Sequence, residues 1–166
     1  MNEKAPSPIT LRPDPVVCRL SPLGFQMWAT QFLEAAKAVQ VQGTDKFSPV
    51  QYFLTCRTIE LALKAHLLAR GYTPKKLKGK IGHNLYKALK KAQGESLADF
   101  VELSDAESEV VKKASGPYRS KRFEYFEVLD ALKGFPERPD TTLLLQVAER
   151  LAIGVHASCE EFKSTT

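Results

Sequence analysis

The stretch KGKIGHNL, Lys78 to Leu85, sets one histidine between a glycine and an asparagine, behind a run of lysines and ahead of an apolar helical pattern. Two kinds of chemistry fit His83. The ring, or the neighbouring Asn84 amide, can satisfy free N–H groups in the first turn of a helix. Near the positive end of a helix dipole, a neutral, hydrogen-bonded imidazole is then the physical expectation. Alternatively, His83, those N–H groups and the adjacent lysines together receive an anion. The helix-starting role ranks first. A second polar group, Arg57, Glu60 and Lys64, falls at three- and four-residue steps, with Glu60 ahead of Lys64 in the favourable order. It reads first as an ion-pair triplet that neutralises charge on a mostly apolar helix. Its functional reading is a polar cluster that orients a substrate phosphate.

Other chemistries find little footing. His66, His83 and His156 lie far apart, and neither an HExxH motif nor an EF-hand loop occurs, so no metal site is expected. GYTPKKLKGK has glycine and lysine without phosphate-loop spacing or a preceding strand, and no GxGxxG or GxSxG is present. No cofactor is expected. Cys18, Cys56 and Cys159 are odd in number and widely spaced, which indicates neither a disulfide framework nor a zinc site. A reducing, cytoplasmic setting follows.

A chain of 166 residues is read as one domain, spanning 22–163, behind an extended Pro-rich arm over 1–21. Pro6, Pro8, Pro13 and Pro15 deny that arm the donors of a regular helix. No apolar run approaches the ~20 residues of a membrane span, so no membrane partner is expected. The N-terminal residues do not have the pattern of a secretory signal. The net charge of +5 is modest, but it is unevenly spread. Leu61 to Gly94 contains no Asp or Glu, yet holds Lys64, Arg70, Lys75, Lys76, Lys78, Lys80, Lys87, Lys90 and Lys91. Such a local field attracts RNA or another polyanion. A lysine-rich surface kept for solubility is the plainer account.

The elements that position these groups read as helices. Phe25, Trp28, Phe32, Ala35, Ala36 and Val39 form one face of a helix from Pro22 to about Val41, which Gly43 ends. Ser48, Pro49 and Gly71 bracket a second helix, apolar on so much of its circumference that it belongs at the centre of a bundle. After a basic loop, YTPKKLKGKIGHN, Leu85, Ala88, Leu89 and Ala92 face inward from a third helix. Ser104 and Glu107 have capping-box spacing for a short fourth. Arg122 to Leu132 is read as helical, GFPERPD as a breaker, and Asp140 as the cap of a last helix carrying Leu144, Val147, Ala148, Leu151 and Val155. The fold expected is an all-α bundle of four to five main helices.

YFLTCRTIELALKAHLLARG followed by KGKIGHNLYKALKKA resembles the HEPN family, the higher eukaryotes and prokaryotes nucleotide-binding helical bundles, over Phe47 to about Gln93. YRSKRFEYFE is similar, more loosely, to a tyrosine- and arginine-bearing segment of that family. The resemblance implies a cytoplasmic, bacterial homodimer in a toxin–antitoxin or defence setting, with RNA or a cognate protein as partner. It also implies a motif of active, metal-independent endoribonucleases, an arginine, then four to six residues, then a histidine, whose two copies meet across a dimer. Arg150 and His156 in RLAIGVH match that spacing, while Leu151 stands where active members commonly carry a polar residue. Histidine would serve as acid or base and arginine as the stabiliser of a charged phosphorane. Six steps along a helix rotate by roughly 240°, so the pair requires a dimer, a kink near Gly154 or a helix boundary. The expected function is therefore a nucleic-acid-associated or partner-binding HEPN-like module without strong catalytic activity, with the endoribonuclease as the alternative. Its candidate anion contacts are Lys75, Lys76, Lys78, Lys80, His83, Arg119, Lys121 and Arg122. The last three, with Tyr118, form a basic-aromatic group suited to holding phosphates, or else a solvated connection whose Phe123 and Tyr125 cover the core.

Overall fold

A computed structural model describes residues 21–39, 47–122 and 139–164. The arm up to residue 20, Cys18, the Gly43 stop, the helix expected beyond Arg122 and most of GFPERPD lie outside the described residues. Among those described are six α-helices and a 3₁₀ turn, Leu97–Asp99, and no strand, so the chain is all-α as its patterning predicts.

Each helix begins where a polar side chain takes up the free N–H groups of the first turn. The Ser21 hydroxyl accepts from the Gly24 N–H at 3.0 Å and opens α1, Pro22–Ala38. Its buried stripe is Pro22, Ala29, Leu33 and Ala36, flanked by the half-buried Phe25 and Phe32. The expected face included Trp28, which is instead 55% exposed. Small residues at 29 and 36 bring the α1 backbone close to its neighbours, and Trp28 lies one residue, about 100°, off that stripe.

Ser48 and Pro49 start α2, Pro49–Ala69, and Gly71 at φ 83° stops it, as the sequence signals require. Thirteen of its residues are buried, and it touches α1, α4, α5 and α6, so it is the axis of the bundle. The basic segment that follows is not a loop. Thr73 caps and Pro74 opens α3, Pro74–Lys80, whose Leu77 is seated in the core. Gly82 at φ 59° then turns the chain, its N–H reaching the Leu77 carbonyl at 3.0 Å. Asn84 caps α4, Leu85–Gln93.

The Ser104–Glu107 capping box opens α5, Asp105–Arg119, which is longer than its sequence suggests because it runs through Gly116 and Pro117. Proline removes only one donor, in the last turn, where the chain is about to leave the helix anyway. Asp140 accepts from the Thr142 and Leu143 N–H groups at 2.9 and 3.0 Å and opens α6, Thr141–Ser164. Leu144, Val147, Ala148, Leu151 and Val155 of α6 are buried as its periodicity predicts. At Gly154 the chain at Phe100 and Val101 crosses α6 so closely that a β-carbon would overlap the Val101 side chain. That glycine serves a close approach, and the helix continues through it without a break.

His66 fastens three parts of this core. It is fully buried on α2, with Nδ1 2.8 Å from the Ser158 hydroxyl on α6 and Nε2 2.9 Å from the Glu95 carbonyl beyond α4. A carbonyl only accepts, so Nε2 carries the proton and Nδ1 accepts from serine. Burial pushes the imidazole below its usual value, and the Arg70 charge pushes it the same way, against the Glu95 carbonyl. The folded state thus takes up the His66 proton only at lower pH than the unfolded chain, whose imidazole titrates near 6.5. Above about pH 6.5 the contribution to stability is complete, and it is lost as pH falls through the folded value. Melting temperatures from pH 8 to pH 5 should therefore fall more steeply in the native chain than in His66→Gln, and superimposable slopes would count against this role.

Candidate functional site

Glu60 lies midway along α2, on the same stripe as the partly exposed Arg57 and Lys64, and is itself 1% exposed. A buried carboxylate is costly unless its oxygens are filled by cations or donors. Four side chains from three places in the chain fill them. Helical spacing brings Arg57 and Lys64 onto the same face, with Lys64 Nζ at 2.5 Å and Arg57 at 3.2 Å from Oε1. Tyr118, on the last turn of α5, donates its hydroxyl to Oε2 at 2.5 Å, and His83 Nδ1 lies 3.1 Å from the same oxygen. Burial by itself would raise the Glu60 pKa, but Lys64, Tyr118 and Arg57 outweigh it and hold the group below the usual carboxylate range. Tyr118 is shifted upward by its own burial and by Glu60, so it remains a donor.

His83 therefore has a role different from the one its neighbours imply. The Asn84 side chain, not the imidazole, accepts from the Lys87 N–H at 2.9 Å. Ser115 on α5 accepts from the Tyr86 N–H at 3.3 Å and donates to Asn84 at 3.1 Å. With these N–H groups of α4 occupied, His83 is turned to Glu60, and its ring meets Tyr118 edge-on at 6.4 Å between centroids. Because ionised Glu60 only accepts, Nδ1 holds the proton in this contact and Nε2 is the nitrogen left for a ligand.

Two concavities open on either side of Arg57 and His83. One, of about 180 Å³, is lined by Phe53, Arg57, His83, Tyr118, Arg119 and Lys121. The other, of about 360 Å³, includes Arg57, Glu60, Lys64, Lys78 and His83 among its walls. Lys75, Lys76, Lys78 and Lys80 are all exposed on α3, as are Arg119, Lys121 and Arg122 where α5 ends. Of the residues expected from sequence, Lys78 and His83 thus line the concavity that holds Glu60, and His83, Arg119 and Lys121 line the one beside it. The other three lysines lie on α3 as well, exposed around the buried Leu77.

Arg150 and His156 are not brought together within the chain. Arg150 pairs with Glu107 on α5 and donates to the Glu102 carbonyl. His156 lies 3.4 Å from Glu160 and lines a groove against α1 that includes Met27 and Ile153, both more than half exposed. The helix is continuous between them, so neither a kink nor a boundary closes the 240° separation. Sequence reasoning missed the contacts of Glu60 to Tyr118 and to His83. Those residues stand 58 and 23 positions away, and no local spacing points to either pairing.

No protein-family model, curated protein or solved structure matches this chain.

The balance of charges at Glu60 has a measurable consequence. Glu60→Ala leaves Lys64 and Arg57 without their counter-charge and the Tyr118 hydroxyl without its acceptor. The expected loss is on the order of 3 kcal/mol in urea denaturation at pH 7. A loss below about 1 kcal/mol, the scale of an exposed pair, would show that the cluster is not a buried one.

Proposed function

We propose that this chain is a HEPN-like helical module that binds nucleic acid through its basic face, without strong catalytic activity. The observation that carries this reading is the run of exposed lysines on two consecutive helices, Lys75, Lys76, Lys78 and Lys80 on α3 with Lys87 and Lys90 on α4. None of the six forms an ion pair among the described residues. Aromatic rings are set among these cations. Lys90 and Lys112 lie 5.7 and 5.8 Å from the Tyr86 ring centroid, and Lys91 lies 5.5 Å from that of Tyr72. Cations that track a backbone beside rings on which bases stack are what single-stranded nucleic acid requires. The HEPN reading rests on the sequence resemblance, and the all-helical class agrees with it.

A homodimeric endoribonuclease would place a second copy on the groove between α1 and α6, where the half-exposed His156 is open to a partner's arginine. Within one chain Arg150 is already engaged by Glu107 and Glu102, which favours the non-catalytic reading.

One experiment addresses both. Binding to single-stranded RNA and DNA is followed by fluorescence anisotropy over a salt series with EDTA present, and the RNA is then inspected for cleavage. Each phosphate contact contributes about 0.7 to the slope of log affinity against log salt on a single strand, so neutralising Lys75, Lys76, Lys78 and Lys80 to glutamine should reduce the slope by up to about 3. An unchanged slope would refute the basic face as the interface. RNA that is cut by the native chain and spared by a folded His156→Ala variant would establish the endoribonuclease instead.

A further inference from the structure

Near the ends of α2 and α6, beside the 3₁₀ turn, a polar cavity of about 360 Å³ has Arg70, Glu95, Ser96, Asp99, Phe100 and Glu161 among its walls. None of the six lysines of the basic face is among the described residues that line it. Its volume lies at the low end of the ~300–1,000 Å³ of small-molecule sites, and it mixes one guanidinium with three carboxylates. A ligand that fits must therefore carry both signs of charge.

Arg70 is held in place but poorly compensated. Its guanidinium carbon lies 5.0 Å from the Phe100 ring centroid, which steadies its plane, and Nη2 reaches Glu161 at 3.4 Å. Nε is buried and has no acceptor among the described residues. A guanidinium offers five N–H donors, and a buried donor without a partner is uncommon in a folded protein. Glu161 is 60% exposed, and an exposed pair at that distance is weak. A carboxylate brought by a ligand can thus take the Nη edge from Glu161, whereas the pairing of Arg57 with the buried Glu60 cannot be given up so readily.

The carboxylates differ in what they already hold. Glu95 accepts from the Tyr72 hydroxyl at 2.8 Å and pairs with Lys91 at 3.3 Å. The Asp99 carboxylate is exposed and makes no ion pair or hydrogen bond among the described residues, and the Ser96 hydroxyl caps the 3₁₀ turn without a side-chain bond. We infer that this cavity binds a free cationic α-amino acid, its carboxylate on the Nη edge of Arg70 and its α-ammonium on Asp99. An arginine fork matches a carboxylate in pairs of bonds, and an ammonium needs an acceptor that is not already engaged. Because carboxylates outnumber the one guanidinium, a cation on the ligand's side chain meets the charge that a simple zwitterion would leave unbalanced.

The test is isothermal titration of the full chain with lysine and arginine, with cadaverine and agmatine, which lack the carboxylate, and with norleucine, which lacks the side-chain cation. Lysine or arginine should bind about tenfold more tightly than its amine and than norleucine. Asp99→Asn should weaken that binding about tenfold at an unchanged melting temperature, because the carboxylate holds nothing in the folded chain. Arg70→Gln should remove the preference of amino acid over amine. Should that variant fold poorly, Asp99→Asn still decides the matter. Amines or norleucine that bind as tightly as the amino acids would overturn the assignment, as would undiminished binding by Asp99→Asn. No binding of lysine or arginine at about 10 mM would overturn it as well, and the nucleic-acid face would be unaffected by either result.

Discussion

The buried carboxylate of Glu60 is the constraint on which the rest of the molecule depends. An ionised group at 1% exposure in the most buried helix must be compensated at each oxygen, and α2 supplies only Arg57 and Lys64. The remaining donors come from the end of α5 and from the turn before α4. Satisfying one side chain therefore sets where two other elements end or begin. The hydrophobic core brings the helices together without direction, whereas Tyr118 and His83 must arrive at hydrogen-bonding distance.

This arrangement separates two populations of cations. Lys64 and Arg57 neutralise an interior charge and are partly covered, while Lys75, Lys76, Lys78 and Lys80 of α3 and Lys87 and Lys90 of α4 are exposed without ion pairs among the described residues. The first group contributes to folding. The second adds mutual repulsion on one face, which a polyanion would relieve. Arg119 and Lys121 stand between the two, next to Tyr118 yet open to solvent. Arg150, by contrast, has its charge met by Glu107 at the α5 capping box, an arrangement that accounts for it structurally.

Much of the fold was legible because helix ends are chemically marked. Ser48 with Pro49, the Ser104–Glu107 box and Asp140 each do what their positions indicate, and the inward residues of α4 and α6 follow the helical period. Elsewhere a short-range signal is outweighed by tertiary structure or masked by its neighbours. The Thr73–Pro74 start of α3 was hidden among lysines, and only Leu77 anchors that helix. Trp28 has helical spacing with Phe25 and Phe32, but close packing at Ala29 and Ala36 sets the rotation of α1. The Arg57–Glu60–Lys64 triplet was visible as an ion-pair group on α2. Its completion by Tyr118 and His83 was not, because nothing in a local pattern reports which distant donor will reach a buried oxygen.

The central claim is that Glu60 and Tyr118 are energetically coupled across α2 and α5. A double-mutant cycle with Glu60→Gln, Tyr118→Phe and the combined variant, read by urea denaturation at pH 7, measures that coupling directly. A buried, charge-assisted hydrogen bond predicts an interaction energy of about 1–3 kcal/mol. Additivity to within about 0.5 kcal/mol would contradict it, and Glu60 would then be a passive buried charge with no hold on the site around it.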